Sequence, residues 1–179
     1  MNLNPITNPT ALCVGLPIVL LFVFFISVIM VFNKGNAEAR LHRERIGAAL
    51  ADARVDEMTG KNFRLYVMSV LAQQGYASQI PPQPHDIGTE LVGVQGARRV
   101  SIEVIHYNKP LTPQSVRMAV ENRARLDCTE AMVITNSTFR EDARQLAAAE
   151  QCTLIDRDGL AEWVLQMQTG RLPHDLRVY

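Results

Sequence analysis

An α/β fold, a mixed β-sheet flanked by helices and preceded by a single N-terminal transmembrane helix, is what this sequence predicts. Three observations carry it. Ala11 to Phe32 is an uninterrupted apolar run. Two neighbouring segments, Gly88–Val94 and Arg98–Tyr107, have strand character and are joined at Gln95-Gly96. From Thr112 onward, helical patterns alternate with short apolar strands, which implies a sheet covered on both faces.

The chain has 179 residues, enough for one ordinary domain and an appendage. The appendage comes first. ALCVGLPIVLLFVFFISVIMVF has no ionisable side chain except the thiol of Cys13, and about 20 such residues span roughly 30 Å of hydrocarbon as a helix. Pro17 lies in its first half, where neighbouring groups compensate for the missing donor. Ala37-Glu38-Ala39 offers a signal-peptidase triplet. However, the run is too long for a signal h-region and no Lys or Arg precedes it. Lys34, Arg40, Arg43, Arg45 and Arg54 follow the span. Basic residues stay cytoplasmic, so residues 1–10 are expected outside a bacterial-type inner (plasma) membrane and the body inside. Cys13, Cys128 and Cys152 show no CxxC spacing, which suits small buried hydrophobes in a reducing compartment.

Residues 33–58 read as a juxtamembrane helical linker. Ala37 to Glu57 is rich in Ala, Arg and Glu and has no internal proline, a helix-forming composition. Its basic residues suit either anionic headgroups or a solvated spacer. The globular domain is expected over 59–168. Thr59 offers an N-cap, Phe63, Val67, Val70 and Leu71 mark one helical face, and Gly75 stands where a C-cap is wanted. Tyr76 begins an extended piece, and Pro81-Pro82-Gln83-Pro84 must be loop.

In the second hairpin strand Val100, Ile102 and Val104 share one face; Ser101, Glu103 and Ile105 share the other. Thr112-Pro113 caps and opens a helix to about Asp127. Arg117, Glu121 and Arg125 are spaced for i,i+4 ion pairs on its outer face. Ala131–Ile134 reads as a strand, and Thr138-Phe139-Arg140-Glu141 as a capping box opening the next helix, to about Glu150. Thr153-Leu154-Ile155 is a further strand and Asp158–Gln168 a last helix, before a tail over 169–179 without clear periodicity.

Asp86-Ile87-Gly88-Thr89-Glu90-Leu91 followed by Ile102-Glu103-Val104-Ile105 resembles the active-site hairpin of the Mrr-like type IV restriction endonuclease domain, in the PD-(D/E)xK nuclease superfamily. Thr59 to Phe63, Gly75-Tyr76, Tyr107, Lys109-Pro110, Val133 to Phe139 with Ala143, and Leu154-Ile155-Asp156 with Leu160 match it in order and spacing. The resemblance implies a restriction-endonuclease-like mixed sheet. It also implies metal-assisted phosphodiester hydrolysis: carboxylates hold Mg²⁺, and a lysine orients the attacking water.

Carried over, the first loop aspartate is Asp86, the metal-binding aspartate is Glu90, the second-strand acid is Glu103, and the lysine position is Ile105. Asp86, Glu90 and Glu103 are thus the expected remnant of a catalytic site, with Glu90 and Glu103 as the metal ligands. An acidic residue that follows the first helix's phenylalanine in the family is Arg64 here. With Ile105 in the lysine's place, hydrolysis is expected to be weak or lost, and Mg²⁺ to be a cofactor only if activity remains. Lys61 and Lys109 are the candidates for a migrated lysine. Taken singly, Asp86 and Glu90 suit a polar loop and an exposed strand position. Glu103 suits a solvated position or a pair with Arg98 or Arg99. His106 faces away from Glu103, so it and His85 are read as surface histidines.

Formal net charge is +0, without the basic stripe that phosphate binding normally shows. Arg117, Arg123, Arg125, Arg140 and Arg144 suit either a local patch or paired surface charge. DNA as a partner is implied by the resemblance alone. The alternative is a catalytically inactive pseudo-nuclease that serves as an accessory or scaffold subunit among protein partners in an inner-membrane complex.

Overall fold

Thr59 begins the first well-formed helix, α1 (Gly60–Gln73), by accepting a hydrogen bond on its side chain from the Asn62 N–H at 3.2 Å. The helix ends as the sequence predicts. Gly75 takes φ 84°, and the Gly75 and Tyr76 N–H groups donate to Ala72 and Leu71 carbonyls, the paired bonds of a Schellman motif. Strand β1 (Ala77–Gln79) follows, then β2 (Glu90–Gln95) and β3 (Arg98–Ile105). Gly96, at φ 59°, turns the chain between them. The remainder alternates: α2 (Pro113–Arg125), β4 (Glu130–Thr135), α3 (Glu141–Glu150), β5 (Cys152–Ile155) and α4 (Arg157–Thr169).

This computed structural model describes residues 24–30, 34, 40–41, 44–45, 47–51, 53–82 and 90–169. Asp86, His85, Cys13, the tail after 169 and most of the predicted span lie outside them. The chain divides into two units, Met1–Glu44 and Arg45–Tyr179. In the first, residues 24–30 are helical, with Phe24, Phe25 and Met30 exposed. Among the described residues no helix is long and apolar enough to cross a membrane. In the second, residues 47–51 are helical with Ala49 and Leu50 buried. Arg54 then takes a left-handed φ of 51° and a 3₁₀ turn follows at Val55–Glu57, so the helix expected to run to Glu57 breaks early.

The five strands lie in sequence order, β1-β2-β3-β4-β5. The first three pair antiparallel and the last three parallel, which is the expected mixed sheet. Period-2 alternation assigns the two faces. Leu91, Val100, Ile102, Val104, Met132 and Ile134 pack under α1 and α4 with Phe63, Val67, Leu71 and Leu160. Ala131, Val133 and Cys152 pack under α2 and α3 with Val116, Ala119, Ala143 and Ala147. Gly93 lets β2 approach this first core closely: a Cβ there would stand 2.8 Å from Ile102 Cδ1 and 3.3 Å from Tyr76 Cδ1.

One predicted helix start is corrected. Thr138 does not cap α3, which begins at Glu141 with Arg140 as its N-cap. The Thr138 carbonyl instead accepts the Leu111 N–H at 2.8 Å, and Leu111 accepts the Arg140 N–H at 3.0 Å. Those bonds hold the chain extended through Phe139, so the helix starts later.

Candidate functional site

Glu90 opens β2 and stands directly opposite Glu103 of β3. Both are interior residues, 1% and 0% exposed. Directly opposed side chains on an antiparallel pair root about 5 Å apart on one face. Were both ionised and their carboxylates held about that far apart, they would repel by about 3 kcal/mol at an effective dielectric constant of 20. The alternative for Glu90 taken singly, an exposed strand position, is therefore set aside: the hairpin pairs it with Glu103 under α2.

What offsets the repulsion comes from α2. Its buried stripe is Ser115, Val116, Ala119 and Asn122, residues three or four apart that share one face. Asn122 Nδ2 donates to Glu103 Oε1 at 2.6 Å. One turn on, Arg125 Nε donates to Asn122 Oδ1 at 2.9 Å, and its Nη2 donates to Glu90 Oε2 and forms an ion pair with it. A continuous relay of donors and acceptors thus runs from Glu103 through Asn122 and Arg125 to Glu90. Ile105, two residues beyond Glu103 on the same face, adds its side chain to the apolar cluster beneath α2 and α3.

Arg125 is accordingly not an outer-face partner of Glu121. Nor do Arg98 and Arg99 serve Glu103. Arg98 binds Glu130 through two bonds, at 2.7 and 2.6 Å, and Arg99 Nε donates to the Leu126 carbonyl. Lys61 and Arg64 ride on α1, which packs on the opposite face of the sheet. Lys109 is exposed in the loop after β3. Among the described residues, the cation beside the carboxylates is Arg125. Asn122 and Arg125 are the residues that sequence reasoning missed, although an asparagine three residues past Ala119 on an apolar stripe was an available signal.

Mg²⁺ takes oxygen ligands in near-octahedral geometry and keeps several waters. Here the Glu90 and Glu103 carboxylates take nitrogen donors, and an arginine already supplies positive charge. Among the described residues no group of three or more His, Cys, Asp or Glu is placed to hold a metal ion. With both carboxylates engaged by nitrogen donors, the described part of the set does not fit Mg²⁺ as arranged; Asp86, its third expected member, lies outside the described residues.

The remaining polar network lies at the carboxyl ends of the parallel strands. Arg157 donates to both carboxylate oxygens of Asp56, at 2.6 and 2.8 Å, and to the Asn136 carbonyl at 3.1 Å. Asn136 Oδ1 accepts the Tyr107 N–H at 2.8 Å. The Arg157 hydrogen bonds hold the Asp56 carboxyl below its ordinary pKa, against the opposing pull of burial. Arg98 does the same to Glu130. His106, expected at the surface, is half-buried: its ring centroid lies 5.1 Å from that of Phe63, and its Nε2 is 3.0 Å from the Val55 carbonyl oxygen. It does face away from Glu103, but α1 covers that side too.

A restriction endonuclease family profile, Mrr_cat, matches residues 55–164. The chain belongs to this restriction endonuclease family. The Mrr_cat match takes in the hairpin, α2 and the 3₁₀ turn carrying Asp56. Among solved structures, the DNA modification-dependent restriction endonuclease AspBHI is similar in fold, with a TM-score of 0.53 and 12% identity over 74% of this chain and 36% of its own. A protein of unknown function, AF1548, gives a TM-score of 0.47 and 17% identity over 59% of this chain and 64% of its own. The chain thus spans less than two thirds of either. No curated protein matches it.

Proposed function

We propose that this chain is a membrane-anchored Mrr-type domain that binds DNA and in which metal-dependent phosphodiester hydrolysis is weak or lost. The observation that carries the loss is the Glu90–Arg125 ion pair beside the Asn122–Glu103 hydrogen bond, with Ile105 where the lysine is expected. Those carboxylates already have partners, and the hydrocarbon side chain of Ile105 cannot orient a water. Family membership supports DNA as the ligand. The apolar run Ala11–Phe32 and the basic residues after it support an anchor in a bacterial-type inner membrane, N-terminus outside and domain cytoplasmic. Mg²⁺ enters this reading only as the cofactor of any residual hydrolysis.

The test uses the full chain in detergent micelles with supercoiled plasmid and Mg²⁺ or Mn²⁺. DNA is expected to be retarded in a gel but not nicked. Metal-dependent nicking that disappears in Glu103→Gln would overturn the loss of hydrolysis.

A second reading is favoured by the same buried relay, which satisfies the two carboxylates internally. In it the domain is a pseudo-nuclease scaffold whose partners are proteins of an inner-membrane complex. Absence of DNA binding, together with a stable protein partner recovered from solubilised membranes, would select it.

A further inference from the structure

We infer that Arg125 is a built-in cation which holds the place between Glu90 and Glu103 and keeps divalent metal out of it. The inference deepens the reading above and rests on its premise that this site has left metal-dependent hydrolysis. Two buried carboxylates rooted opposite each other are relieved by a shared proton, by a bound cation or by a cationic side chain. Here a cationic side chain does so. A guanidinium is a planar, permanently charged fork suited to carboxylates, and Arg125 is steered onto Glu90 by its Nε bond to Asn122 Oδ1 at 2.9 Å. Asn122 spends its own Nδ2 on Glu103 at 2.6 Å. One amide therefore fixes the arginine and satisfies the second carboxylate.

Entry of a divalent ion would bring two positive charges up against the guanidinium already paired with Glu90. It would also strip a guanidinium from a carboxylate only 1% exposed. Arg125 reaches inward from the rim, with 36% of its side chain exposed. Shortening or neutralising it therefore opens a path from solvent and leaves the carboxylates facing each other. Removing the arginine should turn a metal-excluding pair into a metal-binding one.

Mn²⁺ alone is the probe, with the full chain in detergent micelles and bound Mn²⁺ read by electron paramagnetic resonance. Wild type and Arg125→Lys are expected to hold no Mn²⁺ that depends on Glu90. Arg125→Met is expected to gain one Mn²⁺ per chain, bound at least about tenfold more tightly than by wild type, because a repelling unit charge is gone. Adding Glu90→Gln to Arg125→Met should abolish it.

A folded Arg125→Met that gains no Mn²⁺ overturns the inference. Should that variant not fold, the wild-type melting temperature decides. It is expected to be the same in Mn²⁺ and in EDTA, and a rise with Mn²⁺ that Glu90→Gln removes overturns the inference. The two readings fail separately. Wild-type Mn²⁺ binding without plasmid nicking sinks this inference alone. A wild type that binds neither Mn²⁺ nor DNA sinks only the DNA-binding reading.

Discussion

Asn122 Nδ2 donates to Glu103 Oε1 at 2.6 Å, an amide from the last turn of α2 meeting a carboxylate on the central strand of the sheet. Both residues are buried, so the bond has no substitute from solvent. Together with the packing of Val116 and Ala119 on the sheet, it sets where Arg125 arrives.

Removing the Asn122 side chain should be costly. Asn122→Ala takes one donor from a buried carboxylate, for about 1–3 kcal/mol of lost stability. Asn122→Asp should cost more, because a further negative charge then faces Glu103. Urea unfolding of the full chain in micelles, followed by circular dichroism, measures both. A loss under about 0.5 kcal/mol for the alanine variant would mean that water replaces the amide.

The Glu90–Arg125 pair should show strong coupling. Removing one partner of a buried pair typically costs about 3–5 kcal/mol. Arg125 keeps partial exposure, so about 2–3 kcal/mol is expected for Arg125→Met. The double variant Glu90→Gln with Arg125→Met should be more stable than Arg125→Met alone, because no uncompensated carboxylate remains at position 90. Equal stabilities would show that Glu90 gains nothing from the arginine.

The strand faces and helix caps were legible because their signals are local. Alternation separates Ile102 from Glu103, and the Thr59 and Gly75 caps act within one turn. The site was half legible. Glu90 and Glu103 were brought together by the resemblance to the family's hairpin, since a period of two along β3 relates Glu103 only to its own strand's Ser101 and Ile105. Arg125 could not be assigned, since its i,i+4 spacing from Glu121 describes a surface pair equally well and its true partner lies 35 residues away. The misread start of α3 has the same origin: a Thr138 carbonyl occupied by Leu111 is invisible to a capping pattern. His106 was placed on the correct side of its strand, but nothing local told that Phe63 would cover it.

Acid should loosen the clamp between the 3₁₀ turn and α4. Asp56 has its carboxyl held below the ordinary value of 3.8, chiefly by Arg157. A depressed folded-state pKa means that the unfolded chain binds the proton more readily, so stability rises with pH across the window. The contribution is complete above about pH 5 and fades from roughly pH 4 downward, through the lowered folded value. Both side chains are more than a third exposed, so it is worth under about 1 kcal/mol. Wild type should exceed Asp56→Asn in stability at pH 6 and lose that advantage near pH 3, by urea unfolding at each pH. An advantage that persists at pH 3 would assign the difference to packing rather than to charge.

Cys152 offers a test of how closed the second core is. It lies beneath α2 and α3, and burial pushes its thiol from an ordinary 9.0 up to about 11, against the opposing pull of Arg123. The thiolate is the reactive form, and such a shift lowers its fraction at pH 8 on the order of a hundredfold. Steric cover slows attack further. Iodoacetamide at pH 8, with peptide mass spectrometry to separate the cysteines, should therefore label Cys152 at least about a hundredfold more slowly in the folded chain than in urea. Equal rates in the two states would mean that the α2–α3 layer opens readily, and the relay that Asn122 and Arg125 build on it would then be transient.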